Sequence, residues 1–423
     1  MGNRFWVRLL LIVVLALTVR VGYIAVAKWN DPIEQSDALY YATQAQQLAE
    51  GNGFEHREYD RPAADHAPLT QISQAPTALV FGRSVLAQRL VQALYGTAAV
   101  VAIALLARRV AGDTVGLWAA GLAAVYPNLW VNDAVVMAET LTAVLTALLL
   151  WAVYADADRP SHRGALLIGA LAGLAALSRA ELGLLGVLAF LPMAYRTRDT
   201  WGRRLGALGL AGLAGAVVLA PWTLYNSTRF DEPVLISTND GLTLVAAYCD
   251  PQFYGPDPGL WDFSCLFPLH ALDPEVQAGE QSRLNADYRH LAKEYALDHL
   301  SDLPRVAGIR MARTWSLYDP ASMARYSVNE GREQNVSWAG FVTWWLLVPF
   351  AVAGGLVLHG RRRWLWPLLA PFVVVTLISA VFYGLIRFRV PAEVSLVVLA
   401  GVALAELQAR LGSRVETPAE SPV

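Results

Sequence analysis

The sequence predicts an all-α polytopic membrane protein of about ten transmembrane helices, with amphipathic surface helices and a mixed extracytoplasmic loop domain. Three observations predict it. Hydrophobic residues make up 55% of the 423 positions and charged residues only 16%, against about 25% charged in an ordinary soluble domain. Apolar runs of about 17–22 residues recur along the chain, enough for a hydrocarbon core of about 30 Å. Arg and Lys gather in alternate short loops, the asymmetry that orients membrane proteins. The net charge of −2 and the lack of a basic tract argue against a nucleic-acid partner.

The expected spans are 5–27, 86–107, 114–131, 134–154, 163–178, 181–195, 204–222, 338–358, 364–382 and 391–408. The first, in "MGNRFWVRLLLIVVLALTVRVGYIAVA", is read as a retained helix and not as a cleaved signal. Its apolar run is long, Arg20 interrupts it, and "VAKWN" is a poor cleavage site. Spans 163–178 and 181–195 are short for a bilayer. With the N-terminus in the cytoplasm, the basic segments "RRVAGD", "DADRPSHR", "YRTRDTWGRR", "HGRRRW" and "ARLGSR" all fall inside.

This orientation divides the chain. Residues 1–222 form a transmembrane core whose first outer loop is 28–85, and 223–337 form an extracytoplasmic loop domain. Residues 338–410 are C-terminal transmembrane helices, and 411–423 form a disordered cytoplasmic tail. Within the loop domain "SRLNADYRHLAKEYALDHL" (282–300) repeats apolar residues at helical spacing. Cys249 and Cys265 both fall outside. An oxidising compartment favours a disulfide between them, and two cysteines make a poor zinc ligand set. The tryptophans gather near span ends, as interfacial anchors do.

Charges that break the positive-inside pattern carry the functional signal. Arg179 in "LSRAEL", and Arg387 and Arg389 in "YGLIRFRVP", fall at outer turns. Glu139 in "NDAVVMAETL" is expected one to two turns into span four, near the same surface. An ionised group at membrane depth faces a cavity or a partner. These arginines either snorkel to headgroups or build a cationic pocket for a lipid phosphate, whose oxygens match the guanidinium fork. Asp37 in "SDALYY" opens an amphipathic segment at that surface. It is either a helix N-cap or a carboxylate placed to take a proton from an attacking hydroxyl.

"SDALYYATQAQQLAEGNGF" resembles the Asp-x-x-Tyr segment of the GT-C glycosyltransferases, especially the family-39-like membrane enzymes. These include protein O-mannosyltransferases and lipid A aminoarabinose transferases. Ala38 stands where that family carries a second acid. "HAPLTQI" (66–72) resembles the basic-Pro-Pro-Leu segment, "VMAET" (136–140) the acid of span four, and "GLAALSRAEL" (173–182) the basic turn after span five. "LAPWTLYNSTRF" (219–230) and "RFRVP" (387–391) resemble later motifs, in the order the family has them.

The resemblance implies a membrane glycosyltransferase of the cell envelope that takes sugar from a polyprenyl-phosphate donor and inverts it. Its active site would face away from the cytoplasm. Asp37 would be the general base and Glu139 a second acid. Arg179, Arg387, Arg389 and His66 would hold the donor phosphate, and Tyr40 and Tyr41 would touch substrate. The acceptor hydroxyl would belong to a lipid, a glycan or a protein, with membrane lipids around the chain. A transporter or flippase of polyprenyl-linked glycans, or a glycan polymerase or ligase, would share the phosphate pocket. Against a transporter, the polar groups gather at one face and no internal repeat is visible. No cofactor motif appears. A divalent metal stays open through Asp31, Glu34, Asp60, Asp65 and the outer histidines. "DAD" (156–158) has the form of a metal-binding triplet but falls in a cytoplasmic loop.

Overall fold

The computed structural model describes residues 2–33 and 36–415. Among the described residues, six helices are long and apolar enough to cross a membrane: Arg4–Lys28, Val85–Ala111, Glu139–Asp158, Trp201–Ser227, Gln334–Gly360 and Ile386–Gly412. Four shorter apolar helices accompany them: Asp113–Val125, His162–Ser178, Leu182–Thr197 and Trp366–Val381. Each of the ten expected segments coincides with one of these helices, and the chain is a multi-pass membrane protein. Side chains set several helix starts. Ser84 accepts from the Ala87 N–H, Ser161 from Gly164 and Thr200 from Arg203, each satisfying a donor that the first turn leaves open.

The core is built from small and branched residues. Ala99, Ile103 and Leu106 of the Val85–Ala111 helix belong to one cluster with Leu149 and Val153 of Glu139–Asp158 and with Val394 and Val398 near the C-terminus. Alanine-rich faces let helix axes approach closely where burial in lipid supplies no extra drive. By contrast, Trp201–Ser227 buries only Ala207, Trp222 and Asn226, so its apolar surface faces outward to lipid.

One charge crosses this core with a partner. Arg20 is almost fully buried, and its Nε lies 2.7 Å from Asp133 Oδ2. The Asp133 carboxylate occupies the space that a side chain at Gly96 would need, with Oδ2 2.0 Å from the position of an added Cβ.

At the end of the bundle opposite Asp37, short ion pairs tie the loops together. Asp158 holds Arg109 at 3.0 Å and Arg363 at 2.9 Å, and Asp156 holds Arg198 at 2.8 Å. The "DAD" triplet is therefore a clasp between helix ends. The C-terminal helix runs on through Val415, so residues 411–415 are helical where a disordered tail is expected. The remainder of the tail, 416–423, lies outside the described residues, as does Glu34.

At the Asp37 end, the helices Ser36–Ala49 and Leu69–Phe81 pack on each other and on the bundle. Ala38, Tyr41 and Ala45 are buried at helical spacing, with Ala38 and Tyr41 packed on Val135, Met137 and Ala138. Between the two helices, Glu55–His56 pairs antiparallel with Arg61–Pro62, and these are the strands present among the described residues. The 223–337 segment folds as helices and 3-10 turns, chiefly Gln281–Asp298, Leu303–Thr314 and Pro320–Tyr326. Cys249 and Cys265 are joined in a disulfide, Cα to Cα 5.9 Å.

Candidate active site

A cavity of about 290 Å³ opens at the Asp37 end, and residues far apart in sequence line it. Asp37 stands in the first turn of Ser36–Ala49. The buried alanine and tyrosine positions behind it fix that helix, so its carboxylate projects into the cavity. Oδ2 accepts from Arg387 Nη1 at 2.7 Å, and Oδ1 lies 3.5 Å from His66 Nε2. Burial by itself would favour the neutral acid. The Arg387 guanidinium and His66 outweigh it and hold the carboxyl well below the usual carboxylate range.

His66 is delivered by the segment that follows the small hairpin. Arg61 grips Asp65 through Nη2 and Nη1, at 2.8 and 3.3 Å, and its Nε donates to the Gln277 carbonyl at 2.7 Å. The His66 ring rests against Tyr40 and Tyr41, with ring centres 4.9 and 5.2 Å away. Tyr41 reaches the cavity wall, whereas Tyr40 supports His66 away from it.

Glu139 opens the helix Glu139–Asp158. The expected position deeper in the span is corrected: residues 131–134 form a 3-10 turn, and Val136 takes a positive φ of 53°. The helix therefore starts at the acid, where the helix dipole favours a negative charge. Arg179, just past the end of His162–Ser178, bridges Glu139 at 2.5 Å and Glu181 at 2.6 Å. Arg387 lies on the 3-10 turn Ile386–Arg389. Both guanidiniums also lie over the Phe388 ring, at 4.9 and 5.7 Å, a cation–π contact that adds to their carboxylate pairs in fixing them at the cavity wall.

Arg389 does not belong to this group. It is fully buried, pairs with Glu393 at 2.6 Å, donates to Ser316 Oγ at 2.8 Å and lies over Trp344. A 3-10 turn points alternate arginines in different directions, and Arg389 takes the inward one. The expected phosphate contact is corrected to a structural pairing.

Sequence reasoning missed Glu330. Its carboxylate lies 3.2 Å from Arg387 Nη1, so that one nitrogen is shared by two acids, Asp37 and Glu330. Burial pushes Glu330 up, and repulsion from Asp37 adds to that despite Arg387. Glu330 borders a second cavity together with Arg332 and Lys28. Among the described residues no group of three His, Cys, Asp or Glu side chains is gathered as a metal would require. Asp65 is engaged by Arg61 and Asp31 by Lys28.

Residues 65–225 match the family model for dolichyl-phosphate-mannose-protein mannosyltransferase. The matched stretch includes His66, Glu139 and Arg179. Solved structures align over nearly the whole chain. The oligosaccharyltransferase of Archaeoglobus fulgidus aligns with a TM-score of 0.58 at 13% identity, covering 97% of this chain and 52% of its own. ArnT of Cupriavidus metallidurans aligns with a TM-score of 0.58 at 17% identity, covering 98% of this chain and 62% of its own. The chain has the GT-C fold. It spans only about half to three-fifths of the length of these GT-C neighbours. The archaeal enzyme has also been solved with an inhibitory peptide and a dolichol-phosphate, at a TM-score of 0.58 and 12% identity over 100% of this chain and 53% of its own. No sequence among curated proteins matches. Within the GT-C fold, the Asp37 cavity is built by the first loop, two short interhelical turns and the loop domain together.

Proposed function

We propose that the chain is a membrane glycosyltransferase that moves a sugar from a polyprenyl-phosphate donor to an acceptor hydroxyl on the extracytoplasmic side. The observation that carries this reading is the convergence of Asp37, Arg179 and Arg387 on one cavity. Two fixed guanidiniums supply fork-shaped donors for a phosphate, and a carboxylate stands beside them. The dolichol-phosphate on the archaeal relative supports the donor class. The ion-paired basic end is then cytoplasmic, which puts the cavity on the far side.

The acceptor oxygen attacks the anomeric carbon, and a new C–O bond forms as the bond from that carbon to the phosphate oxygen breaks. The bonding electrons leave with the phosphate, whose charge Arg179 and Arg387 neutralise. The acceptor proton passes to Asp37. One displacement inverts the anomeric centre. At rest, Arg387 occupies Asp37. A donor phosphate competing for Arg387 restores basicity to the carboxylate, so the base is strengthened when donor is bound.

Glu139 orients Arg179, and His66 buttresses Asp37. The test uses purified protein in nanodiscs with undecaprenyl-phosphate-linked radiolabelled sugar and a mixed panel of hydroxyl acceptors. Acceptor-dependent release of undecaprenyl phosphate is expected. Failure of any bound donor to turn over, with the protein folded, would overturn the reading.

A further inference from the structure

The wall of the Asp37 cavity facing away from the membrane core comes from the loop domain, and its chemistry differs from that of the arginine wall. Ser237, Asn239 and Thr243 line it. All three are partly exposed, and none makes a side-chain hydrogen bond within the described structure. Asn239 sits at the N-cap position of Asp240–Val245 without capping it. Three neutral polar side chains thus face the cavity with their hydrogen-bonding capacity unused.

The segment that carries them is held firmly. The Thr238 N–H donates to the Ala64 carbonyl at 2.8 Å. Asn285 accepts from the Gly241 N–H at 2.6 Å and donates to Asp240 Oδ1 at 2.7 Å. A Cβ at Gly241 would meet the Asn285 carbonyl at 2.0 Å, so only glycine permits this approach. Asp240 is occupied by Asn285 and lies 3.5 Å from Arg289. A pinned backbone presenting free hydroxyl and amide groups is preorganised for a polar ligand.

We infer that Ser237, Asn239 and Thr243 form the sugar-recognising lip of this cavity and select a neutral monosaccharide on the donor. The inference rests on the glycosyl-transfer reading above and names the part of the donor that it left open. Sugar hydroxyls are both donors and acceptors, as these three side chains are. The lip carries no free cation for a uronate, because the two arginines stand at the other wall with their acids. A cavity of about 290 Å³ is at the small end of ligand sites, so it suits a single ring and not an oligosaccharide.

The test compares wild type with the combined Ser237→Ala, Asn239→Ala, Thr243→Val variant, whose side chains carry no structural hydrogen bond. Binding is measured in nanodiscs for undecaprenyl phosphate alone, undecaprenyl-phosphate hexose and undecaprenyl-phosphate hexuronate. Wild type should bind the hexose lipid at least tenfold more tightly than the bare lipid phosphate. The variant should lose most of that gain while keeping affinity for the bare lipid, since each lost hydrogen bond costs a few-fold. Equal losses for both lipids, no loss for either, or a wild-type preference for the hexuronate would overturn the lip but leave the transfer reading standing. Absence of wild-type binding to all three lipids would overturn the transfer reading, and the lip with it.

Discussion

Arg387 Nη1 lies 2.7 Å from Asp37 Oδ2, across 350 positions of sequence. The pair joins the first extramembrane helix to the turn before the last long helix. It gives Asp37 a partner that a terminal cap would not need, and it sets the first prediction. Asp37→Asn keeps the side chain's size but removes the proton acceptor. Turnover should fall by about 10²–10⁴ while affinity for undecaprenyl phosphate is kept or raised, because Arg387 is freed. Near-normal turnover would remove Asp37 from the mechanism and make Glu139 the next candidate.

The two kinds of arginine should separate experimentally. Arg387→Ala and Arg179→Ala should each weaken binding of undecaprenyl phosphate by about 1.5–3 kcal/mol in the folded fraction. Arg389→Ala should instead lower stability by about 3–5 kcal/mol, because Glu393 is left buried without its counter-charge. Lipid affinity of the Arg389 variant measured below its melting temperature should match wild type. A selective loss of lipid binding there would return Arg389 to the phosphate site.

Acid should erode the contribution of Asp37. Its carboxyl is held below its unfolded value, so the folded state binds fewer protons than the unfolded one. The resulting stability is present above the unfolded pKa of about 3.9 and is lost as pH falls further, toward the folded pKa. Thermal melting of wild type and Asp37→Asn should show a wild-type lead at pH 7 that shrinks below about pH 4. A lead that stays constant down to pH 3 would contradict a charged pair.

The orientation has a direct check. Both native cysteines are joined to each other, so an introduced cysteine is the one free thiol. Glu275→Cys, on an exposed part of the loop domain, should react with a membrane-impermeant maleimide on intact cells. Arg163→Cys, at the basic end, should react only after lysis. The opposite pattern would reverse the sidedness of the site.

Most of the helical framework is legible in the sequence because apolar runs and basic loops are local signals. Arg179 is legible too, since a cation at an outer turn violates the charge pattern that surrounds it. Arg387 and Arg389 look alike for the same reason. Only the tight turn that carries them shows that one faces the cavity and the other faces Glu393. Glu330 gives no local sign at all: "SVNEGREQ" reads as an ordinary polar loop. Its meaning comes from a guanidinium 3.2 Å away in space. Asp133 could have been suspected, since Arg20 inside an apolar run requires an acid nearby. The lip at Ser237 and Thr243 was invisible because free hydrogen-bonding capacity is a property of packing.

The clasp at the basic end bears on how the chain is made. Asp158 holds Arg109, which is already in place when Asp158 emerges from the ribosome, and Arg363, which follows 205 residues later. Over those 205 residues of synthesis the acid has one of its two counter-ions. The late arginine leads directly into Trp366–Val381, so this contact ties the last pair of helices to the helix ends that precede them in the chain. Birth order is thus written into a single carboxylate, and a chain stalled before Arg363 would reach quality control with that latch open.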